Sequence, residues 1–334
     1  VAERSTISQA VQIGVETTPG TTVAANKRLG SIGFNLAPKV EINSQRPIGQ
    51  KYANLQILGK EWSEASLEGS PAYPELPYVW SSLLSAATIT SIMDGATDTD
   101  GRTWAFDSNA FGADSPKTYT VEQGSSLRAH RASNVIISDA TLNFSRSEVT
   151  IEGTALAKAI EDNVSLTSSP TMLPQVPVRP TEVTFYLDDT AAGLGTTKLS
   201  RALSGSFELS SRFGPLWVVD ASESSFVTTI ETEPGCNFKL MQEANAQGME
   251  SLTAMRNGAT KFLRIEAVGP IIYDENSVLV QHRLRIDVAG QVSDVSEFSD
   301  EDGVYAIEWT FGAVVDPTWA KAFHVEVVTT TTAL

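Results

Sequence analysis

Cysteine is almost missing from this chain: Cys236 is the only one in 334 residues. No internal disulfide can form, and no cysteine zinc site is possible. Histidine is scarce too. His130, His282 and His324 lie far apart, and none is adjacent to a candidate nucleophile in the sequence. Basic charge is short, with 24 Lys and Arg against 40 Asp and Glu and a formal net charge of −16. That argues against ordinary nucleic-acid binding, which neutralises phosphates with basic side chains. It also argues against docking on an anionic membrane. No 18 apolar residues run together, so no helical span is expected. Val1 to Val15 carry Glu3, Arg4, Ser5 and Gln9 and offer no stretch for a signal peptide, so the expectation is a protein soluble where it is made. No glycine loop of the phosphate-cradling kind is present.

What the chain does have is Ser and Thr, 68 together, and 41% hydrophobic residues. Short alternating segments recur, such as Ile32-Gly33-Phe34-Asn35-Leu36, Ala140-Thr141-Leu142-Asn143-Phe144, Ser206-Phe207-Glu208-Leu209 and Arg283-Leu284-Arg285-Ile286. A period of two describes strands buried on one face. Gly and Pro turn signals separate them. The expected class is mainly β. Two helices interrupt it. From Pro74 to Ala87, Leu76, Val79, Trp80, Leu83, Leu84 and Ala87 make one apolar face, and Pro74 suits the first turn. From Ala246 to Arg256, Met249, Leu252 and Met255 make a weaker stripe. Asn245 can cap its start and Asn257-Gly258 can end it.

Residues 165–181 contain Pro170, Pro174, Pro177 and Pro180 and read as an extended linker. The sides of that linker look alike, which points to an internal duplication: 1–164 and 182–334. Gly33-Phe34-Asn35-Leu36 answers Ser206-Phe207-Glu208-Leu209. Ser66-Leu67-Glu68 answers Thr229-Ile230-Glu231. Then come the helices, then Ile151-Glu152-Gly153-Thr154 and Ile307-Glu308-Trp309-Thr310. The first hairpin is longer on the left, and residues 92–132 read as an insertion with little counterpart on the right.

Signals for chemistry are few. Asp94, Asp98, Asp100 and Gly101 are a fragment of a calcium loop, as is Ser299-Asp300-Glu301-Asp302-Gly303. Each lacks an oxygen ligand at the first position, where Ala96 and Phe298 stand, and both read as turns between strands. Cys236 reads as a structural thiol. No catalytic residue, metal or cofactor is expected. The acids Glu68, Glu152, Glu231 and Glu308 each follow an apolar residue in a strand, so they face away from the core. They read either as an ordinary solvated face or as one acidic surface shared by both halves.

Several stretches carry a family resemblance. They are Val11-Gln12-Ile13-Gly14-Val15-Glu16-Thr17-Thr18-Pro19-Gly20-Thr21, the hairpin around Lys39 to Gly69, and the run from Gly69 to Leu84. Further on come Glu182-Val183-Thr184-Phe185-Tyr186-Leu187-Asp188, Phe207-Glu208-Leu209 with Pro215-Leu216-Trp217, and Phe298 to Tyr305. Together they resemble the tail tube (major tail) protein of long-tailed bacteriophages. The resemblance implies two tandem tail-tube-type β-sandwich or barrel folds, each with a flanking helix. It implies trimeric, pseudo-hexameric rings that stack into a hollow tube. It also implies a tape measure protein in the lumen, tail terminator and tail tip or baseplate partners, and DNA passing without specific binding. The location implied is the virion, after assembly in the host cytoplasm. In that setting Glu68, Glu152, Glu231 and Glu308 are expected to line the bore, and the hairpin tip with Arg46, Pro47, Gly49, Lys51 and Tyr52 to contact the next ring. The last strand, Phe323 to Val328, is expected to add to a neighbour's sheet. Another virion ring protein (terminator or baseplate) and a carbohydrate-binding β-sandwich adhesin are the alternatives.

Overall fold

Alternation of apolar and polar residues fixes most of the chain as strands. In the computed structural model, which describes residues 9–334, they form 21 strands and two α-helices. Glu3, Arg4 and Ser5, cited above against a leader, lie outside the described residues. In chain order the first half comprises β1 (Ala10–Val15), β2 (Lys27–Leu29), β3 (Ile32–Gln45), β4 (Leu55–Gly69), α1 (Leu76–Leu83), β5 (Thr88–Asp94), β6 (Thr97–Asp107), β7 (Tyr119–Ser125), β8 (Arg128–Ser145), β9 (Val149–Ala157), β10 (Glu161–Val164) and β11 (Thr171–Met172). The second comprises β12 (Val183–Asp188), β13 (Ala202–Ser210), β14 (Phe213–Leu216), β15 (Thr228–Glu231), β16 (Gly235–Glu243), α2 (Glu250–Asn257), β17 (Lys261–Glu275), β18 (Val278–Val295), β19 (Ser299–Glu301), β20 (Val304–Ala313) and β21 (Phe323–Thr329).

Eight strands, four from each half, form one continuous antiparallel run in the order β3-β4-β9-β8-β13-β16-β20-β18. A single row of directly opposed residues crosses it: Ile32, Gly69, Ile151, Leu142, Phe207, Phe238, Phe311, Val292. All but Gly69 are apolar, and this is the core face. Trp80 of α1 packs on Phe207 at 6.0 Å between ring centroids, and Phe323 of β21 meets the same ring edge-on at 5.9 Å. The helix and the outer strands therefore cover this face.

The outer strands fall into two groups. In the first half β2, β1, β7, the start of β8 and β10 pair in that order. In the second, β12, β17, the start of β18 and β21 do so. The two 18-residue strands, β8 and β18, serve both layers. Each shifts register where it passes between them, at Ile137/Asp139 and at Val292/Asp294. Such bulges bend a strand and raise its twist.

The pairings recur. β3, β4, β7, β8 and β9 relate to one another as β13, β16, β17, β18 and β20 do, with α1 and α2 at the same point of the order. Of residues 92–132, the part from Tyr119 onward thus has a counterpart in the β17–β18 hairpin. The extra piece is the β5–β6 hairpin and the loop after it. That hairpin crosses over: β6 pairs with β21, Val325 opposite Phe106 and Val327 opposite Trp104. Both edges of β21 are therefore occupied within the chain, by β18 and β6. The expectation that Phe323 to Val328 add to a neighbour's sheet is corrected.

Residues 165–179 are largely extended, as their prolines require, with a 3-10 turn following at Pro180–Glu182, but they are a strap packed on the first half. β11 runs parallel to β2, and Leu173 and Val178 are buried. Tyr73 donates its backbone N–H to the Val176 carbonyl at 2.9 Å. Helix α1 is shorter than its pattern and buried on every side, Ser81 and Ser82 included. Pro77, not Pro74, occupies its first turn. Glu75 before it is fully buried and accepts from the N–H groups of Gly30, Ser31 and Ile32. Helix α2 starts later than expected, with Met249 at its N-cap, while Asn245 accepts from Gly248 N–H. It ends at Gly258 as expected, in the left-handed region at φ +61°.

Candidate functional site

The other face of the eight-strand sheet is mostly polar, with Leu156 and Met241 as apolar exceptions. One row reads Gly33, Glu68, Glu152, Thr141, Glu208, Asn237, Gly312, Gln291, each opposite the next. A parallel row reads Thr150, Asn143, Ser206, Lys239, Thr310. A third reads Ser145, Ser204, Met241, Glu308. The strand period puts all of these on the face opposite Phe207 and Phe238.

Three of the four acids expected on one surface are there. Glu68 and Glu152 are exposed and stand directly opposite each other. Like charges so placed destabilise a sheet. Amide side chains, not cations, partner them: Asn35 donates to Glu68 at 2.8 Å and Asn143 to Glu152 at 3.0 Å. Glu308 shares the face on the third strand beyond the seam between the halves. Glu231 does not. It lies on β15, in a separate two-stranded sheet with β14. There it accepts from Asp114 N–H at 3.0 Å and faces Arg212 at 3.5 Å. The strand that takes the place of β4 in the second half is β16, because it is β16 that pairs with β13. The equation of Glu231 with Glu68 is corrected on that ground. Glu208 is the acid that sequence reasoning missed. It follows Phe207 as Glu68 follows Leu67, so the same rule would have found it.

The seam itself is the β8–β13 pairing, from Ser204 opposite Ser145 to Leu209 opposite Ala140. It is fastened at one end by Arg212. This side chain is 5% exposed and donates to the Leu83 carbonyl at 2.9 Å while pairing with Asp114. Next to it Asp139 accepts from Ser211 N–H, Ser138 and Thr154. Burial opposes its charge, yet these hydrogen bonds hold its carboxyl below the usual range.

The sheet has two open edges and two unlike ends. β4 is the only strand beside β3, whose outer Ile32 and Leu36 N–H groups are held by the Glu75 and Gln123 side chains and whose Pro38 has no N–H, and residues 291–295 of β18 pair with β20 alone. At one end β3 and β4 run on past β9 as a free ribbon. Its tip holds Arg46, Pro47, Gly49, Lys51 and Tyr52, as expected, in a turn where Gln50 N–H donates to the Pro47 carbonyl and Gly49 has φ +84°. Tyr52 and Ile48 are strongly exposed.

Most of the groups weighed for chemistry have partners within the chain. His282 is buried and stacks on Tyr73 at 5.4 Å. His130 and His324 do have carboxylate partners, Asp162 at 3.0 Å and Asp107 at 2.6 Å, which their sequence neighbours did not reveal. Burial pushes the Cys236 thiol up to about 12, so little thiolate exists at neutral pH. Asp98 is occupied by Arg102 and Asp100 N–H, and Asp94 by Tyr273 and Asn276. Among the described residues no three His, Cys, Asp or Glu side chains gather as a metal site, and no helix is long and apolar enough to cross a membrane. No family model matches the chain, and neither does any curated protein.

Proposed function

We propose that this chain is the structural subunit of a hollow polymer of the phage tail-tube type, built from two tandem tail-tube folds. The observation that carries the reading is the eight-strand sheet with one apolar face, one largely polar face whose charged residues are mostly acids, and two edges that no further strand of the chain covers. Exposed edges invite pairing with another copy. Three copies joined edge to edge, β3 of one beside residues 291–295 of β18 in the next, make a closed wall of roughly 24 strands. At about 4.8 Å spacing and about 45° tilt its circumference is roughly 160 Å, and side chains leave a bore about 40 Å wide. That is wider than a DNA duplex.

The polar face then lines the bore. Its acids, Glu68, Glu152, Glu208 and Glu308 against Lys239, repel phosphates and suppress counterion-release binding. The facing pair Glu68 and Glu152, costly in an isolated chain, has a use there: DNA slides without sticking. The partners are further copies, a tape measure protein inside, and terminator and tip proteins at the ends. The site is the virion, after assembly in the host cytoplasm. No catalytic step is involved.

Negative-stain microscopy of the purified protein, with mass measurement of any ring, tests this. The expected result is hollow tubes, or rings of three chains of about 107 kDa, three times 35.8 kDa. Rings of six chains would keep the tube and sink the two-fold chain. Changing Glu68, Glu152, Glu208 and Glu308 to Gln should leave rings intact and raise retention of DNA in the tube. Rings that fail to form would make these acids interface residues.

A further inference from the structure

The free ribbon is unlike the rest of the chain. The part beyond β9, residues 39–62, holds four cations, Lys39, Arg46, Lys51 and Lys60, against two carboxylates, Glu41 and Glu61. The remaining residues hold 20 Lys and Arg against 38 Asp and Glu. The ribbon is also apolar outside: Ile42, Ile48, Tyr52, Leu55 and Leu58 are exposed. About seven residues of each strand run beyond the pairing with β9, a reach of roughly 23 Å. Two-stranded ribbons are marginal alone. The length, charge and apolar surface of this one call for cover that is acidic and apolar.

The opposite end of the same sheet offers that combination. β20 runs in the same direction as β3, because every neighbouring pair between them is antiparallel. The ribbon tip follows the end of β3, whereas the β19–β20 turn precedes the start of β20. The two therefore lie at opposite ends of the sheet. Around that turn Phe298 and Tyr305 stack at 4.6 Å with 20° between rings, and both are exposed. Asp294, Glu297, Asp300, Glu301 and Asp302 flank them in the chain, with no cation from 294 to 305, and Asp300 stands opposite Tyr305.

We propose that the β3–β4 ribbon of one copy docks on the Phe298–Tyr305 platform of a second copy. Ile48 and Tyr52 seat against the two rings, and Arg46 and Lys51 meet Asp300 and Asp302. Donor and acceptor surfaces at opposite ends make a head-to-tail contact that propagates without closing. The proposal deepens the tube reading by naming the receiving surface between rings, and it rests on that reading for the direction of stacking.

The test mixes full-length I48C chains with F298C chains under mild oxidation and identifies linked peptides by mass spectrometry. The half-buried Cys236, its thiol held protonated, gives little background. The expected product is the 48–298 pair. R46E with K51E in the first chain should lower its yield about tenfold, and D300K with D302K in the second should restore it. No 48–298 product from folded chains overturns the proposal. If tubes form without it, the tube reading stands and the docking fails. If the product forms and no hollow polymer does, the docking stands and the tube reading fails.

Discussion

The same strand pairings serve different ends in the two halves. In the first, β3 and β4 are 14 and 15 residues long and leave the sheet as a free ribbon. In the second, β13 and β16 are nine residues each, and the chain between them turns aside into β14 and β15. That detour folds back on the base of the ribbon. Trp217 meets Trp62 edge-on at 5.8 Å, Lys60 sits over Trp217, and Glu61 N–H donates to the Ser224 carbonyl. One hairpin reaches out; its counterpart braces it. A repeated pairing scheme thus fixes the frame and leaves the connections free to diverge.

Substitutions in the frame shared by the two halves carry the largest expected effect. Phe34 on β3 and Phe207 on β13 are both buried on the core face. Truncating either to Ala should cost about 3–5 kcal/mol. Chemical denaturation of the two variants reads this, and a single shared transition is expected because the sheet is continuous. Two separate transitions would mean that the halves fold apart.

A somewhat smaller effect is expected at the brace. Arg212→Met leaves Asp114 buried without its partner, a loss of about 3 kcal/mol, at the low end for broken buried pairs. Faster amide exchange should follow at Ser211 and Glu61. Unchanged exchange at Glu61 would detach the brace from the ribbon.

The smallest effect concerns pH at the contact between His282 of the second half and Tyr73 of the first. Burial lowers the His282 pKa from its ordinary 6.5, against a backbone hydrogen bond at Val328. The unfolded chain then binds the proton more readily than the folded one. Stability is full above about 6.5 and falls as pH drops below it toward the folded value. His282→Phe should flatten that slope in denaturation at pH 5.5 and 7.5. A slope that survives the substitution belongs to another group.

Local pattern made the strands legible, and the left-handed end of α2 at Gly258. It also made the tip of the ribbon legible, since Pro47 and Gly49 mark a turn. Partners far along the chain were not legible. Thr229-Ile230-Glu231 alternates as well as Ser66-Leu67-Glu68 does, and only pairing distinguishes a wall strand from a detour. The final strand was misread for the same reason: nothing near Phe323 announces that Phe106 and Trp104 will cover its edge. The acid face was half visible, because periodicity orients a side chain but does not say which strands lie side by side.

The crossing of β6 to β21 joins strands that are synthesised far apart in time. Asp107 and His324, paired at 2.6 Å, are 217 residues apart. A ribosome adding about 5–20 residues per second needs roughly 10–40 s to cover that interval. For that long the β5–β6 hairpin waits on a nascent chain with an open edge. The second half completes its outer layer only when β21 has emerged. A chain truncated before β21 lacks that last rail, so synthesis itself delays the moment at which a subunit becomes fit to join others.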